Sequence, residues 1–160
     1  MPGAGQRVAV RDARLEDCPA IAVLLSELGY PTTARSVERR LAILQRSRDS
    51  RILVAVNGPR AVGVTGLHII PLLHRDWRLG RILVLAVSRE FARQGIGRQL
   101  IGAVEKIARD AGCRRLELTT AAERAGAHAF YRKFGFEEAS KRFAKTLELH
   151  RGRSMRRDTS

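Results

Sequence analysis

Two glycines one residue apart, Gly95 and Gly97, stand where a polar turn from Ser88 to Gln94 gives way to apolar residues at helical spacing: Ile96, Leu100, Val104, Ile107 or Ala108, and Ala111. A helix start presents about four unpaired backbone N–H groups and roughly half a positive charge. Without a Cβ at residues 95 and 97, an anion such as a diphosphate can approach that backbone closely. The alternative is an ordinary helix start whose glycines serve packing. Spacing excludes a nucleotide P-loop, since no Gly-x4-Gly-Lys-Ser/Thr run occurs. A dinucleotide fingerprint needs a third glycine where Leu100 sits, although Glu117 lies about 20 residues further on.

A second cluster of chemical interest is Ala127-His128-Ala129-Phe130-Tyr131-x-x-x-Gly135-Phe136. A phenol with a pKa near 10 stays protonated at neutral pH and can donate to a departing anion. Tyr131 could equally be a core aromatic beside Phe130 and Phe134. His68, His74, Asp76 and Glu117 are the dispersed acid–base candidates, and a lone histidine is more often structural. Cys18 and Cys113 are too few and too far apart for a zinc site or a disulfide framework.

These residues need elements to hold them. Ile82 to Val87 is an apolar, β-branched run of buried-strand length, leading through the glycine turn into the amphipathic helix. Ahead of it the pattern predicts a strand over Arg7–Arg11, a helix beginning within Asp12–Asp17 and stopped by Gly29, and a helix over Ala34–Arg46. A strand at Ile52–Val56 and another at Ala61–Ile70 are joined by the hairpin sequence Asn57-Gly58-Pro59-Arg60. Pro71–Leu79 is a loop. Beyond Gly112, Arg114–Thr120 alternates as a strand, Glu123–Phe134 is helical, and Phe136–Leu149 supplies one or two last strands. The plan is α+β: a mixed, mostly antiparallel sheet flanked by helices. Residues 1–150 are expected to form a single domain and 151–160 a disordered basic tail.

A chain of 160 residues with 44% hydrophobic composition fits one folded domain. No apolar run approaches the ~18 residues of a membrane span. No signal-peptide pattern opens the chain, and a reducing cytoplasm is the simplest setting. The net charge of +14 comes nearly all from arginine. It suits a polyanionic cofactor or nucleic acid, but the arginines form no dense block and no nucleic-acid motif is visible. A homodimer is compatible with this plan.

The glycine loop, the Tyr131 segment and the order of elements together resemble the Gcn5-related N-acetyltransferase (GNAT) superfamily over nearly the whole chain. The resemblance implies a GNAT-like acyl-CoA N-acyltransferase fold and acetyl-CoA as co-substrate, with no metal. It implies diphosphate binding by Arg93, Gln94, Gly95, Ile96, Gly97 and Arg98, chiefly through backbone N–H groups. The family pattern Arg/Gln-x-x-Gly-x-Gly/Ala has Ala92 at its first position here, with Arg93 one place later. The resemblance also implies that Leu85, Ala86 and Val87 pair with the pantetheine arm, one of their N–H groups polarising the thioester carbonyl. Tyr131 would protonate the leaving thiolate after a neutral amine attacks that carbonyl. His128 faces either cofactor or solvent. The family's asparagine seven residues before the tyrosine is Arg124 here, whose charge suits a coenzyme phosphate instead. The family's strand glutamate is absent from Ile82-Leu83-Val84-Leu85, so the base is His68, His74, Asp76, Glu117 or an ordered water. The acceptor pocket is expected from the first two helices and the His68–Arg78 loop, with Trp77 flanking the substrate. A small-molecule amine is the expected acceptor. Protein N-terminal or lysine acetylation and a non-enzymatic basic nucleic-acid module are the alternatives.

Overall fold

The computed structural model describes residues 7–119, 125–139 and 142–148. It divides into two units, residues 1–125 and 126–160, each taken here by itself.

The first unit carries a five-stranded sheet in the order β1-β2-β3-β4-β5. Its strands are β1 (Ala9–Asp12), β2 (Ser50–Asn57), β3 (Arg60–Ile70), β4 (Arg78–Val87) and β5 (Cys113–Leu118). The first three pairings are antiparallel and β4/β5 is parallel. The parallel pair needs a crossover, which α3 (Ile96–Asp110) provides. Two helices precede β2, α1 (Cys18–Leu28) and α2 (Ala34–Arg46). Gly29 ends α1 at φ 107°, and Thr33 caps α2 by accepting from the Ser36 N–H at 3.2 Å. The first helix starts later than the acidic residues suggest. A 3-10 turn at Leu15–Asp17 comes first, and Pro19 then sits in the opening turn.

Alternation along the strands sorts the core into two layers. On one face Val54, Val56, Val64 and Ala86 pack with Cys18, Ile21, Ala22 and Leu24 of α1 and Val37 and Leu41 of α2. On the other, α3 buries Ile96, Leu100, Ile101, Val104 and Ala108. Each such side chain contributes roughly 1.5–3 kcal/mol of burial free energy. Gly63 sets how closely α3 lies on the sheet: a Cβ there would meet Leu100 Cδ1 at 3.0 Å and Ile96 Cγ2 at 3.1 Å.

Two irregularities in β4 matter for function. Gly66 pairs with Val84 and Leu67 with Ile82, so Leu83 is an extra residue, a β-bulge, and is half exposed. The buried Thr65 hydroxyl donates to the Val84 carbonyl at 2.8 Å beside this bulge. The β5 ladder then stops at Ile82↔Leu118, while β4 continues to Val87. Strand β4 also begins four residues earlier than its apolar run, because Arg78 and Leu79 pair with β5 and Leu79 with Ile70.

Asp17 ties the start of α1 to β1. Its side chain is 4% exposed and accepts from Arg11 at 2.7 and 2.9 Å and from the Arg14 N–H at 2.7 Å. Burial pushes its carboxyl up, but the Arg11 and Arg14 hydrogen bonds outweigh burial and hold it below the usual range. A lowered folded pKa means the stabilisation is present above the unfolded value of about 3.9 and is lost as pH falls through the folded one. Asp17→Asn should therefore cost about 1–3 kcal/mol at neutral pH in urea unfolding. That gap should close as pH falls through the lowered folded value.

The second unit contains the rest of helix α4 (Ala125–Lys133). The Gly135 N–H donates to the Arg132 carbonyl at 3.0 Å and the Phe136 N–H to that of Tyr131 at 3.1 Å, closing the helix with Gly135 at φ 84°. Phe130 meets Tyr131 with ring centroids 5.4 Å apart and Phe134 at 4.7 Å, and Tyr131 meets Phe136 at 5.8 Å. The strands expected over Phe136–Leu149 are not found among the described residues 136–139 and 142–148. Phe143 and Leu147, two of the large apolar residues in that stretch, are exposed. Residues 120–124, with Arg124, and the tail from 149 lie outside the described residues.

Candidate functional site

The turn after β4 is held at its start and open at its end. The Ser88 N–H donates to Val62 O at 2.8 Å, and Arg89–Phe91 forms a 3-10 turn. Arg60 bonds Glu90 at 3.0 Å and lies over the Phe91 ring at 5.9 Å. Beyond this anchor Arg93 adopts φ 62° and Gly95 φ 79°, both left-handed, and α3 starts at Ile96. Arg93 is the only described non-glycine residue with positive φ, a conformation that costs of order 1–3 kcal/mol and is found where function fixes the backbone. Among the described residues no backbone carbonyl accepts from Gln94 through Gly97, and no side chain caps the helix. Arg93, Gln94, Gly95 and Arg98 are exposed, whereas the Ile96 side chain is in the core, so Ile96 can offer only its backbone. These donors stand at a positive helix end with exposed arginines at residues 93 and 98, which suits an anion.

Leu85, Ala86 and Val87 lie immediately before this turn, past the last β5 pairing. With Leu24, Glu27, Leu28 and Arg89 they line a groove of about 350 Å³. Glu27 takes a long bond from the Arg89 N–H, 3.4 Å. Neither Glu27 nor Arg89 stands out in the sequence. Only the packing of the end of α1 against β4 brings them to the groove, and no local pattern encodes that.

The remaining candidates separate into three places. His68 (β3) and Glu117 (β5) are on the sheet: His68 Nδ1 is 3.0 Å from Ser50 Oγ, and Glu117 is bonded by Arg81 at 3.2 Å and Arg115 at 3.0 Å. His74, Asp76 and Trp77, with Arg75 and Arg114, line a second pocket of about 360 Å³ before β4 begins. Trp77 is eight residues from Leu85 along an extended strand, roughly 26 Å at 3.3 Å per residue. The structure therefore does not gather His74, Asp76 and Trp77 with Leu85–Val87. His128 and Tyr131 are on α4 of the second unit, where Glu138 lies 4.0 Å from His128 Nδ1 and 3.2 Å from Arg132. Burial pushes both cysteine thiols up, with Arg78 partly offsetting this at Cys113, so neither is set up as a nucleophile. Among the described residues no three His, Cys, Asp or Glu side chains gather as metal ligands, and no helix is long and apolar enough to cross a membrane.

Comparison with known proteins places this geometry in a family. The chain is 37% identical over 95 residues to the aminoalkylphosphonate N-acetyltransferase of Salmonella typhimurium, covering 59% of this chain and 61% of that one. It is 42% identical over 55 residues to the aminoglycoside N(6')-acetyltransferase type 1 of Stenotrophomonas maltophilia, 34% of this chain and 36% of that one. The matched segments thus span less than two thirds of either relative's length. The fold superposes with a TM-score of 0.79 on the crystal structure of a transcriptional regulator from Bacillus halodurans, at 23% identity, over 88% of this chain and 100% of that one. The description of the acetyltransferase (GNAT) family matches residues 11–136. From Arg11 in β1 to Phe136 beyond α4, then, the chain carries that family's sequence on that family's fold, and it belongs to the GNAT family of acetyltransferases.

Proposed function

We propose that the protein is an acetyl-CoA-dependent N-acetyltransferase that acetylates a primary amine of a small molecule by direct transfer in a ternary complex. Acetyl-CoA supplies an activated acetyl thioester, and the chain's own residues bind it, orient it and move protons. The backbone N–H groups of Gln94 through Arg98 hold the diphosphate, with the Arg93 and Arg98 side chains adding charge. The main chain of Leu85–Val87 aligns the pantetheine arm, and an N–H of this stretch polarises the acyl carbonyl. Tyr131 Oη gives its proton to the departing thiolate, with His128 and Arg124 as further coenzyme contacts. The acceptor reading is supported by two relatives whose names specify small amine-bearing substrates, an aminoalkylphosphonate and an aminoglycoside. Residues 1–150 act as one catalytic domain in a cytoplasmic setting, where Cys18 and Cys113 stay as thiols.

The observation that carries the reading is the run of N–H groups at Gln94–Gly97 that, among the described residues, meets no backbone carbonyl, in a turn beside the open β4 edge where Gln94 and Gly95 are exposed. The test is thiol release from acetyl-CoA against a panel of primary amines that includes aminoalkylphosphonates, aminoglycosides and lysine-containing peptides. Release with a small amine and none with the peptides is expected. Release with peptides alone would overturn the small-molecule acceptor, and no release with any amine would overturn the activity.

A further inference from the structure

Register and alternation bring four polar residues from four adjacent strands into one row. Ser50 pairs with His68, His68 with Arg81, and Arg81 with Glu117. By alternation from Val54, Val64 and Ala86 the row shares the sheet face that α1 and α2 cover further along. Between that apolar layer and the row lie Gly66, which has no side chain, and the half-exposed bulge residue Leu83. The row therefore stands where the β4/β5 ladder ends and the open edge of β4 begins.

This placement bears on direction, and the inference that follows rests on the coenzyme reading above. With the diphosphate at Gln94–Arg98, beyond the C-terminal end of β4, the arm runs back from Val87 toward Leu83. Its acyl end then points at the row, while Glu27 in the groove beside Leu85–Val87 flanks the arm. Within the row, Glu117 is bonded by two arginines, which engage its oxygens. Ser50 is 7% exposed and fixes His68 through Nδ1, leaving Nε2 for another partner.

We infer that His68 is the catalytic residue on the acceptor side, and that its Nε2 takes the proton of the incoming ammonium group. Nδ1–H donates to Ser50 Oγ, so the Nε2 lone pair forms the new N–H bond. The ammonium N–H bond breaks, and its electron pair stays on the amine as the attacking lone pair. The imidazolium then returns the proton to water. Ser50 is a positioning residue that holds the ring through Nδ1.

Bromoacetyl-coenzyme A tests the placement without knowledge of the acceptor. Its α-carbon sits beside the acyl carbonyl, and a nucleophile standing there forms a covalent bond to it as bromide leaves. Peptide mapping should find the label on His68 Nε2, and His68→Gln should lose the label while binding coenzyme A as tightly as the native chain in calorimetry. A label on Glu27, Tyr131 or a cysteine, or none at saturation, would overturn the assignment. An absence of any coenzyme A binding would instead remove the coenzyme reading itself. With the amine identified by thiol release, His68→Gln should turn over about 100-fold more slowly at unchanged coenzyme affinity. An equal rate would overturn the proton-transfer role.

Discussion

Gly95→Val is expected to weaken coenzyme A binding by at least 10- to 100-fold in calorimetry, while the protein stays folded. Space is not the reason, since a Cβ at residue 95 meets nothing within 4 Å. Conformation is: Gly95 sits at φ 79°, a region that costs a β-branched residue of order 1–3 kcal/mol. The chain can relieve that strain by turning the peptide units around residue 95, and doing so reorients the donors of Gln94–Gly97. Asparagine tolerates the left-handed region better, so Gly95→Asn should retain most of the affinity. Gly102→Ala provides the control, because Gly102 lies within α3 with open space around its Cβ position. That variant should gain about 0.5–1 kcal/mol of stability and bind coenzyme A unchanged. If Gly95→Val bound normally, the loop's backbone shape would have no part in recognition.

The second large effect is at Tyr131. Tyr131→Phe should lower kcat by roughly 10²- to 10⁴-fold, the usual contribution of a positioned general acid, with the coenzyme Kd unchanged. The substitution keeps the ring that packs edge-on against Phe130 and Phe136, so thermal stability should hardly move. A loss of stability with normal turnover would assign Tyr131 to packing.

How much of this was legible in the sequence depended on how local the cause was. Helix α2 follows its apolar period from Ala34 to Arg46, and the β2–β3 turn follows the chemistry of Asn57-Gly58-Pro59-Arg60. The strand–turn–helix unit around Gly95 was readable for the same reason: apolar run, glycines and amphipathic period all fall within one stretch. Features set by register were not readable. The Leu83 bulge, the end of the β4/β5 ladder at Ile82 and the Ser50–His68 contact each depend on which residues of distant strands align. The sequence puts His74, Asp76 and Trp77 in the His68–Arg78 loop expected to build the acceptor pocket with the first two helices. A ten-residue strand separates its two ends, and so it separates them from Leu85–Val87. One or two strands are expected over Phe136–Leu149, but none is found among the described residues there, where Phe143 and Leu147 are exposed. Glu27 gave no signal at all, being one polar position among the leucines of α1.

The central claim is that the main-chain donors of the turn after β4 hold the coenzyme's diphosphate. Amide chemical shifts of the 15N-labelled protein, followed as coenzyme A is added, test it most directly. The amides of Gln94, Gly95, Ile96 and Gly97 should show the largest shifts, saturating together with the calorimetric binding curve. If the coenzyme saturated the protein and those four amides stayed where they were, the diphosphate would be held elsewhere.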